Sequence, residues 1–249
     1  MAEKPKVAIL CGGRGTRIAR GDEDAPKPLV EVGEMPILWH VMALYGAQGF
    51  DHFVLLTGWR SAQVEAAVDA FPEVASGQWQ VKCIDTGEDT PTGGRVDAAR
   101  SELKGGTFAL TYADGVADID LAAELEFHRA HGSLATITVA RPRSPWGEAQ
   151  LTEGGRVTGF GEKPLLENWI NGGFMLMEEG ALDFIGPADV LEERPLENLA
   201  AAGELHAYRH EGFWDCMDTF KDALELNRLC SDGTPPWLAS KVSSAEGAR

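Results

Sequence analysis

Near its start the chain carries Val7-Ala8-Ile9-Leu10-Cys11-Gly12-Gly13-Arg14-Gly15-Thr16-Arg17 and, ten positions after Arg17, Lys27-Pro28-Leu29. An apolar run that stops in three closely spaced glycines predicts a buried parallel strand feeding a tight loop. Glycine lets backbone N–H groups come close to a phosphate, because a Cβ would hold the ligand away and such loops use positive φ. Arg14, Arg17 and Lys27 add three cations beside those amides. A guanidinium forks onto two phosphate oxygens and a lysine acts as a point charge, so the residue types suit a polyphosphate. A plain glycine turn with scattered surface cations has the same spacing. Two better-known glycine loops fit poorly: no Gly-Lys-Ser/Thr follows Gly15, and Ile18 stands where a dinucleotide fingerprint needs its third glycine.

Two carboxylates stand where they could matter to such a ligand. The predicted strand Thr107 to Tyr112 runs directly into Ala113-Asp114-Gly115, and Asp218 lies in Phe213-Trp214-Asp215-Cys216-Met217-Asp218-Thr219. A bare aspartate repels phosphate, but Mg²⁺ bridges the two, since it takes one or two carboxylates plus phosphate oxygens. Alone, Asp114 reads equally as a turn residue and Asp218 as a helix cap.

The elements that must position these residues follow from periodicity. Strands are predicted at His52 to Thr57, Trp79 to Asp85, Thr107 to Tyr112 and Leu134 to Ala140, with helices at Met35 to Gln48, from a Ser61 cap to Phe71, from Gly93 to about Leu103, and from Asp118 or Asp120 to His131, closed by Gly132. Pro72 to Gly77 reads as a loop. This alternation implies βαβ units with right-handed crossovers, hence an α/β, doubly wound, Rossmann-like and mostly parallel sheet with ligands at the carboxyl ends of its strands. After Arg141 shorter strands are expected at Ala149 to Leu151, Val157 to Glu162 and Asn171 to Met177, then helices from Glu179 and around Leu196 to Ala202, a strand at Leu205 to His210, a loop at Gly212 to Thr219 and a last helix to Cys230. One domain over residues 1–240 is expected, with a nucleotide-binding part at 1–140, an acceptor part at 141–240 and a loose tail at 241–249.

The formal charge of −17 argues against nucleic-acid and anionic-membrane partners. No run approaches the roughly 18 apolar residues of a spanning helix. The four cysteines, Cys11, Cys83, Cys216 and Cys230, form no metal or dithiol pair and read as buried free thiols, which suits a reducing cytoplasm.

The opening motif resembles the signature of sugar-1-phosphate nucleotidyltransferases, in which Gly-Gly-x-Gly-Thr-Arg and a downstream Lys-Pro hold a nucleoside triphosphate. The likeness is greatest to the glucose-1-phosphate cytidylyltransferases and spans nearly the whole chain: Pro36-Ile37-Leu38-Trp39-His40, Asp85-Thr86-Gly87, Thr92-Gly93-Gly94-Arg95, Asp114-Gly115-Val116-Ala117-Asp118, Phe127 to Gly132, Ile170-Asn171-Gly172-Gly173-Phe174 and Met217-Asp218-Thr219. It implies transfer of a nucleoside monophosphate, CTP being the favoured donor, to a sugar 1-phosphate, with Mg²⁺ on Asp114 and Asp218. It also implies that the nucleotide meets Leu10, Gly12, Gly13, Gly15, Thr16, Arg17, Lys27, Thr92, Gly93, Arg95 and Asp114, with Arg17, Lys27 and Asp114 catalytic. The sugar phosphate is assigned to Gly147, Glu162, Lys163, Asn171 and Gly172. The residue types agree: Lys163 neutralises phosphate, Glu162 accepts from hydroxyls, and Asn171 does both donor and acceptor work. Transfer of another nucleotide, a different acceptor, or a nucleotide-binding module without turnover are the rivals.

Three departures stand out. Ala113 replaces the family's glycine, Trp146-Gly147-Glu148-Ala149 replaces its Phe-Gly-Ala-Leu, and the stretch between Phe71 and Trp79 is short where those enzymes carry a segment through which subunits associate. The second, with its bulky indole and new carboxylate, points to a sugar other than glucose, and the third leaves self-association as a homo-oligomer open.

Overall fold

The computed structural model describes residues 4–15 and 25–239. In chain order its elements are β1 (Lys6–Leu10), β2 (Glu31–Val32), β3 (Met35–Pro36), α1 (Ile37–Gly46), β4 (His52–Thr57), α2 (Ser61–Asp69), α3 (Pro72–Ala75), β5 (Gln80–Asp85), α4 (Thr92–Ala98), α5 (Arg100–Leu103), β6 (Phe108–Tyr112), β7 (Gly115–Ala117), α6 (Leu121–His131), β8 (Ala135–Ala140), β9 (Glu148–Leu151), β10 (Val157–Gly161), β11 (Ile170–Met177), α7 (Arg194–Ala201), β12 (Leu205–His210), β13 (Trp214–Cys216) and α8 (Phe220–Ser231), with 3-10 turns at Lys27–Leu29 and Glu179–Phe184.

Seven strands form one sheet in the order β12-β8-β11-β6-β1-β4-β5. All neighbours are parallel except β11, which runs antiparallel to both β6 and β8. The central strands are apolar at successive positions because helices cover both faces. Alternation then sorts their side chains into two cores. Val7, Ile9, Phe53, Leu55 and Ala109 pack on the face covered by α1, α2, α6 and α8, whereas Ala8, Leu10, Val54, Leu56 and Leu110 pack with residues of α4, α5 and α7. Both clusters are fully buried along β1 and β4, which anchors the ends of these strands where the loops emerge.

Several local expectations change. The helix expected from Met35 begins at Ile37, and Met35-Pro36 pair with Glu31-Val32 instead. Ser61 is the first residue of α2 and not its cap; Arg60 takes that place with φ of 54°, and the Ser61 hydroxyl meets Thr57 Oγ1 at 2.7 Å. Pro72 to Ala75 is a helical turn rather than loop, with proline preset in its first turn and the buried Phe71 before it. The expected loop before α8 contains β13, which pairs with β7. Asp120 caps α6 through Ala123 N–H, and Gly132 closes it at φ of 68°. Of the four free thiols only Cys11 is buried, the other three being half-buried. Among the described residues no helix is long and apolar enough to cross a membrane. The tail at 241–249 lies outside the described residues.

Candidate nucleotide site

The carboxyl ends of β1 and β6 open into a cleft of ≈ 450 Å³ whose walls include Leu10, Gly12, Gly13, Gly15, Lys27 and Asp114. The location is the one expected for ligands of an open α/β sheet. The three glycines serve three different purposes. A Cβ on Gly12 would lie 2.0 Å from Arg95 Nη1, so Gly12 makes room for that guanidinium. Gly15 takes φ of 60° and lies under Lys27, whose Cβ would be 2.5 Å from a side chain there. Gly13 has nothing within 4 Å of its would-be Cβ and faces open space. Thr16 and Arg17 lie outside the described residues.

Arg95 occupies the cleft wall but directs its donors away from it. Nη1 donates to Thr57 O (3.0 Å), Thr86 Oγ1 (2.6 Å) and Gly87 O (2.8 Å), and Nη2 donates to Gly12 O (3.0 Å) and Glu88 O (3.1 Å). One buried guanidinium thereby ties together the loops that follow β1, β4 and β5. Gly58, like Gly12, is open for it: a Cβ there would stand 2.2 Å from Nη1. Arg14 is likewise committed, to Glu88 at 3.0 Å and Asp89 at 3.1 Å.

Lys27 does face the centre. Its Nζ pairs with Asp114 Oδ2 and, at 2.9 Å, with Asp218 Oδ1. Burial alone would lower the pKa of this ammonium; the two carboxylates, Asp114 foremost, outweigh it and raise the value. The ribbon of β7 and β13 explains how residues 104 positions apart converge. Their antiparallel pairing, with Met217 N–H donating to Asp114 O at 2.9 Å, sets the residue before β7 beside the segment after β13. Thr219, not Asp218, caps α8, in a capping box with Asp222 that leaves the Asp218 carboxylate to the cleft side. Asp215, on β13, is pushed up to about 6 by burial and bonds the Cys216 amide at 2.8 Å.

Among the described residues no three metal-binding side chains gather in one place. Two carboxylates converging on one cation suit a hard ion that draws its remaining ligands from water and phosphate, and do not suit a closed protein cage. Asp114 and Asp218 are the residues that would hold Mg²⁺.

Thr92 lines the cleft as expected, but its neighbours on the wall opposite the glycines were not foreseen. Thr90, Pro91 and Val190 line the cleft, and Val190 belongs to a segment that packs on the start of α4, where a Cβ on Gly93 would lie 2.7 Å from Asp189 O. Thr92 Oγ1 donates to Glu192 Oε2 at 2.7 Å, and Tyr112 OH donates to the other carboxylate oxygen. No motif marks residues 187–192; a helix-opening glycine pair that must pack against something is the only trace they leave.

The residues assigned to the sugar phosphate divide between two places. Asn171 and Gly172 begin β11 beside β6: Asn171 Oδ1 accepts from Gly173 N–H at 2.8 Å, Gly172 O accepts from Trp214 Nε1 at 2.7 Å, and Gly173, at φ of 81°, lies against the Tyr112 ring. Gly147, Glu162 and Lys163 belong to the exposed β9–β10 hairpin region. A Cβ on Gly147 would lie 2.5 Å from Phe160 Cζ and 3.0 Å from Glu162 Oε2, while Lys163 takes φ of 47°. Trp146 is 74% exposed and Phe160 70%.

The profile of the Nucleotidyl transferase family matches residues 6–228, and the chain belongs to that family. Within it the sequence is glucose-1-phosphate cytidylyltransferase-like. It is 36% identical over 256 residues to a probable glucose-1-phosphate cytidylyltransferase of Bacillus subtilis (strain 168), and 36% identical over 253 residues to a glucose-1-phosphate cytidylyltransferase of Salmonella typhi; each alignment covers 93% of this chain and 98% of the relative. The fold is that of HddC from Yersinia pseudotuberculosis, with a TM-score of 0.72 at 20% identity over 90% of this chain and 99% of that one. The family and fold class read from the motifs are therefore borne out.

Proposed function

We propose that the protein transfers a nucleoside monophosphate from a nucleoside triphosphate, CTP foremost, to a sugar 1-phosphate of the glucose type, releasing pyrophosphate. The observation that carries this reading is the convergence of Lys27, Asp114 and Asp218 at the mouth of the glycine loop. The names of the two cytidylyltransferase relatives favour CTP and glucose 1-phosphate.

In this reading the acceptor phosphate, already an anion at neutral pH, attacks the α-phosphorus in line, so no side chain need act as nucleophile. The amides of Gly12 to Gly15 bind phosphate oxygens as fixed dipoles, and Lys27 and Arg17 neutralise charge on the triphosphate. Asp114 and Asp218 would hold Mg²⁺, which when bound would offset the negative charge of the reacting phosphates. Arg95 acts at one remove by fixing the Gly12 carbonyl and the loops beside it. Lys163 meets the acceptor phosphate, Glu162 and Asn171 its hydroxyls, and Gly147 and Gly172 let backbone approach the ring. The exposed Trp146 and the carboxylate of Glu148 favour a decorated or aminated sugar over glucose itself. The test is pyrophosphate release across four triphosphates and a panel of sugar 1-phosphates. Release with CTP and a hexose 1-phosphate is expected; turnover confined to another triphosphate or to a non-sugar acceptor would replace the assignment.

A further inference from the structure

At the opposite end of β1 and β6 from the nucleotide cleft lies a second cavity, of ≈ 330 Å³. Its walls include Lys4, Lys6, Lys104 and Arg129, and its floor is the Gly105-Gly106 turn that leads into β6. Lys6 and Phe108 open these strands and Leu10 and Tyr112 close them, so roughly 13 Å of strand separates the two cavities.

Four cations around one hollow need explaining in a chain with 22 basic and 39 acidic residues. Elsewhere Arg14, Lys82, Arg100, Arg194 and Arg228 each stand within ion-pair distance of an Asp or Glu, while Arg141 and Arg209 stack on Trp169 and Arg143 donates to the Lys163 carbonyl. Here Lys104 and Arg129 make no ion pair with any described residue, and Lys4 Nζ lies over the Phe50 ring, 4.9 Å from its centre. Lys6 Nζ donates to the backbone carbonyl of Glu102 at 2.8 Å, while the Glu102 carboxylate is held by Lys82. The nearest acid that intrudes, Glu179, accepts from the Gly105 amide at 3.1 Å. Unpaired like charges repel, a cost that a bound anion removes. The floor is also open to one. Gly105 and Gly106 take φ of 105° and 151°, and nothing stands within 4 Å of a Cβ built on either, so the space above the turn is open, with the Gly105 N–H held by Glu179.

We propose that this cavity is a second anion site, apart from the nucleotide cleft, that takes a small phosphate-bearing ion: inorganic phosphate or the phosphate group of a monoester. Lys104 and Arg129 supply the principal contacts, Arg129 as a fork and Lys104 as a point charge.

The test uses amide NMR of the full chain, titrated at constant ionic strength with inorganic phosphate, glycerol phosphate or chloride. Saturable shifts of the Gly105, Gly106 and Thr107 amides are expected with phosphate, separate in midpoint from any shifts at Gly12, Gly13 and Gly15. A tighter midpoint with glycerol phosphate would assign the site to monoesters, and a tighter one with inorganic phosphate to the free ion. The Lys104→Ala/Arg129→Ala double variant should weaken this binding at least tenfold, about the loss of one charge-assisted contact. Lys104→Arg, with Arg129 in place, should largely retain it. Equal shifts with chloride, shifts that never saturate, shifts confined to Gly12 to Gly15, or an unchanged midpoint in the double variant would each overturn the proposal. All the substituted side chains are exposed, so the fold should hold, which an unchanged far-UV spectrum checks.

Discussion

The donor side and the proposed acceptor side of this molecule are held by different means. Around the glycine loop, backbone and side chains restrain one another: Arg95 alone makes five hydrogen bonds to groups on three segments, and Lys27 joins two carboxylates that are far apart in the sequence. The β9–β10 hairpin is a two-stranded ribbon outside the main sheet, with every residue of β9 exposed. Its large apolar side chains Trp146, Leu151, Val157 and Phe160 are all more than half exposed. A change on the first side disturbs many partners, whereas a change on the second disturbs few. On the proposed assignment, the phosphate-binding side is held fixed while the acceptor surface is free to vary.

Substitutions test that contrast. Asp114→Asn and Asp218→Asn should each cut turnover on the order of a thousandfold with the fold intact, since a charged ligand is lost and no packing is; near wild-type rates for both at saturating Mg²⁺ would remove the metal assignment. Arg95→Lys cannot reproduce the fork and leaves buried carbonyls without donors. It should cost about 2–4 kcal/mol of stability in urea unfolding. A loss below ~1 kcal/mol would show that the loops after β1, β4 and β5 hold their places without it.

Glu124 sharpens the same point from the opposite direction, because it is fully buried with a single donor, Thr138 Oγ1 at 2.6 Å. Burial pushes its carboxyl from 4.5 up to about 7. The folded chain therefore holds a proton that the unfolded chain releases between those values, so this group lowers stability as pH rises through the window. Glu124→Gln should be more stable than the wild type by roughly 2–3 kcal/mol at pH 8 and equal to it near pH 4.5. Parallel melting curves of the two proteins across that range would contradict the shift.

On the exposed side the expected effects shrink. Lys163→Ala should weaken sugar phosphate by roughly ten- to a hundredfold, with little change against triphosphate; the reverse pattern would exchange the two ends of the site. Trp146→Phe with Glu148→Ala should move the ratio of activities on glucose 1-phosphate and a decorated acceptor by only a few-fold, without loss of stability. A drop in melting temperature as large as that of Arg95→Lys would erase the distinction between the two sides.

The strands, the glycine loop and the placement of Asp114 were legible because each has a period or a local residue type that forces it. What the chain order hides is long-range. Arg95 reads as the opening of a short helix, and its role rests on carbonyls of Gly12 and Thr57, 83 and 38 positions away. Arg14 reads as a phosphate ligand but finds Glu88 and Asp89 across the cleft. The three-residue strands β7 and β13 are too short for any alternation to show, yet their pairing brings Asp218 to Asp114. Val190 and Glu192 carry no sequence signal and are found only by asking what Gly93 and Gly94 pack against.

The antiparallel strand β11 has a consequence for how the chain is made. β1, β4, β5 and β6 pair with one another and are complete once residue 112 has emerged. β8 follows directly but has no neighbour among them; it pairs only with β11 and β12, both synthesised later. Until residues 170–177 leave the ribosome, the nascent chain presents the apolar edge of β6, with Phe108 and Leu110, and an orphan β8. Such an interval is a window for edge-to-edge association of neighbouring chains. At ≈ 5–20 residues per second, the 65 positions between Tyr112 and Met177 keep it open for roughly 3–13 s.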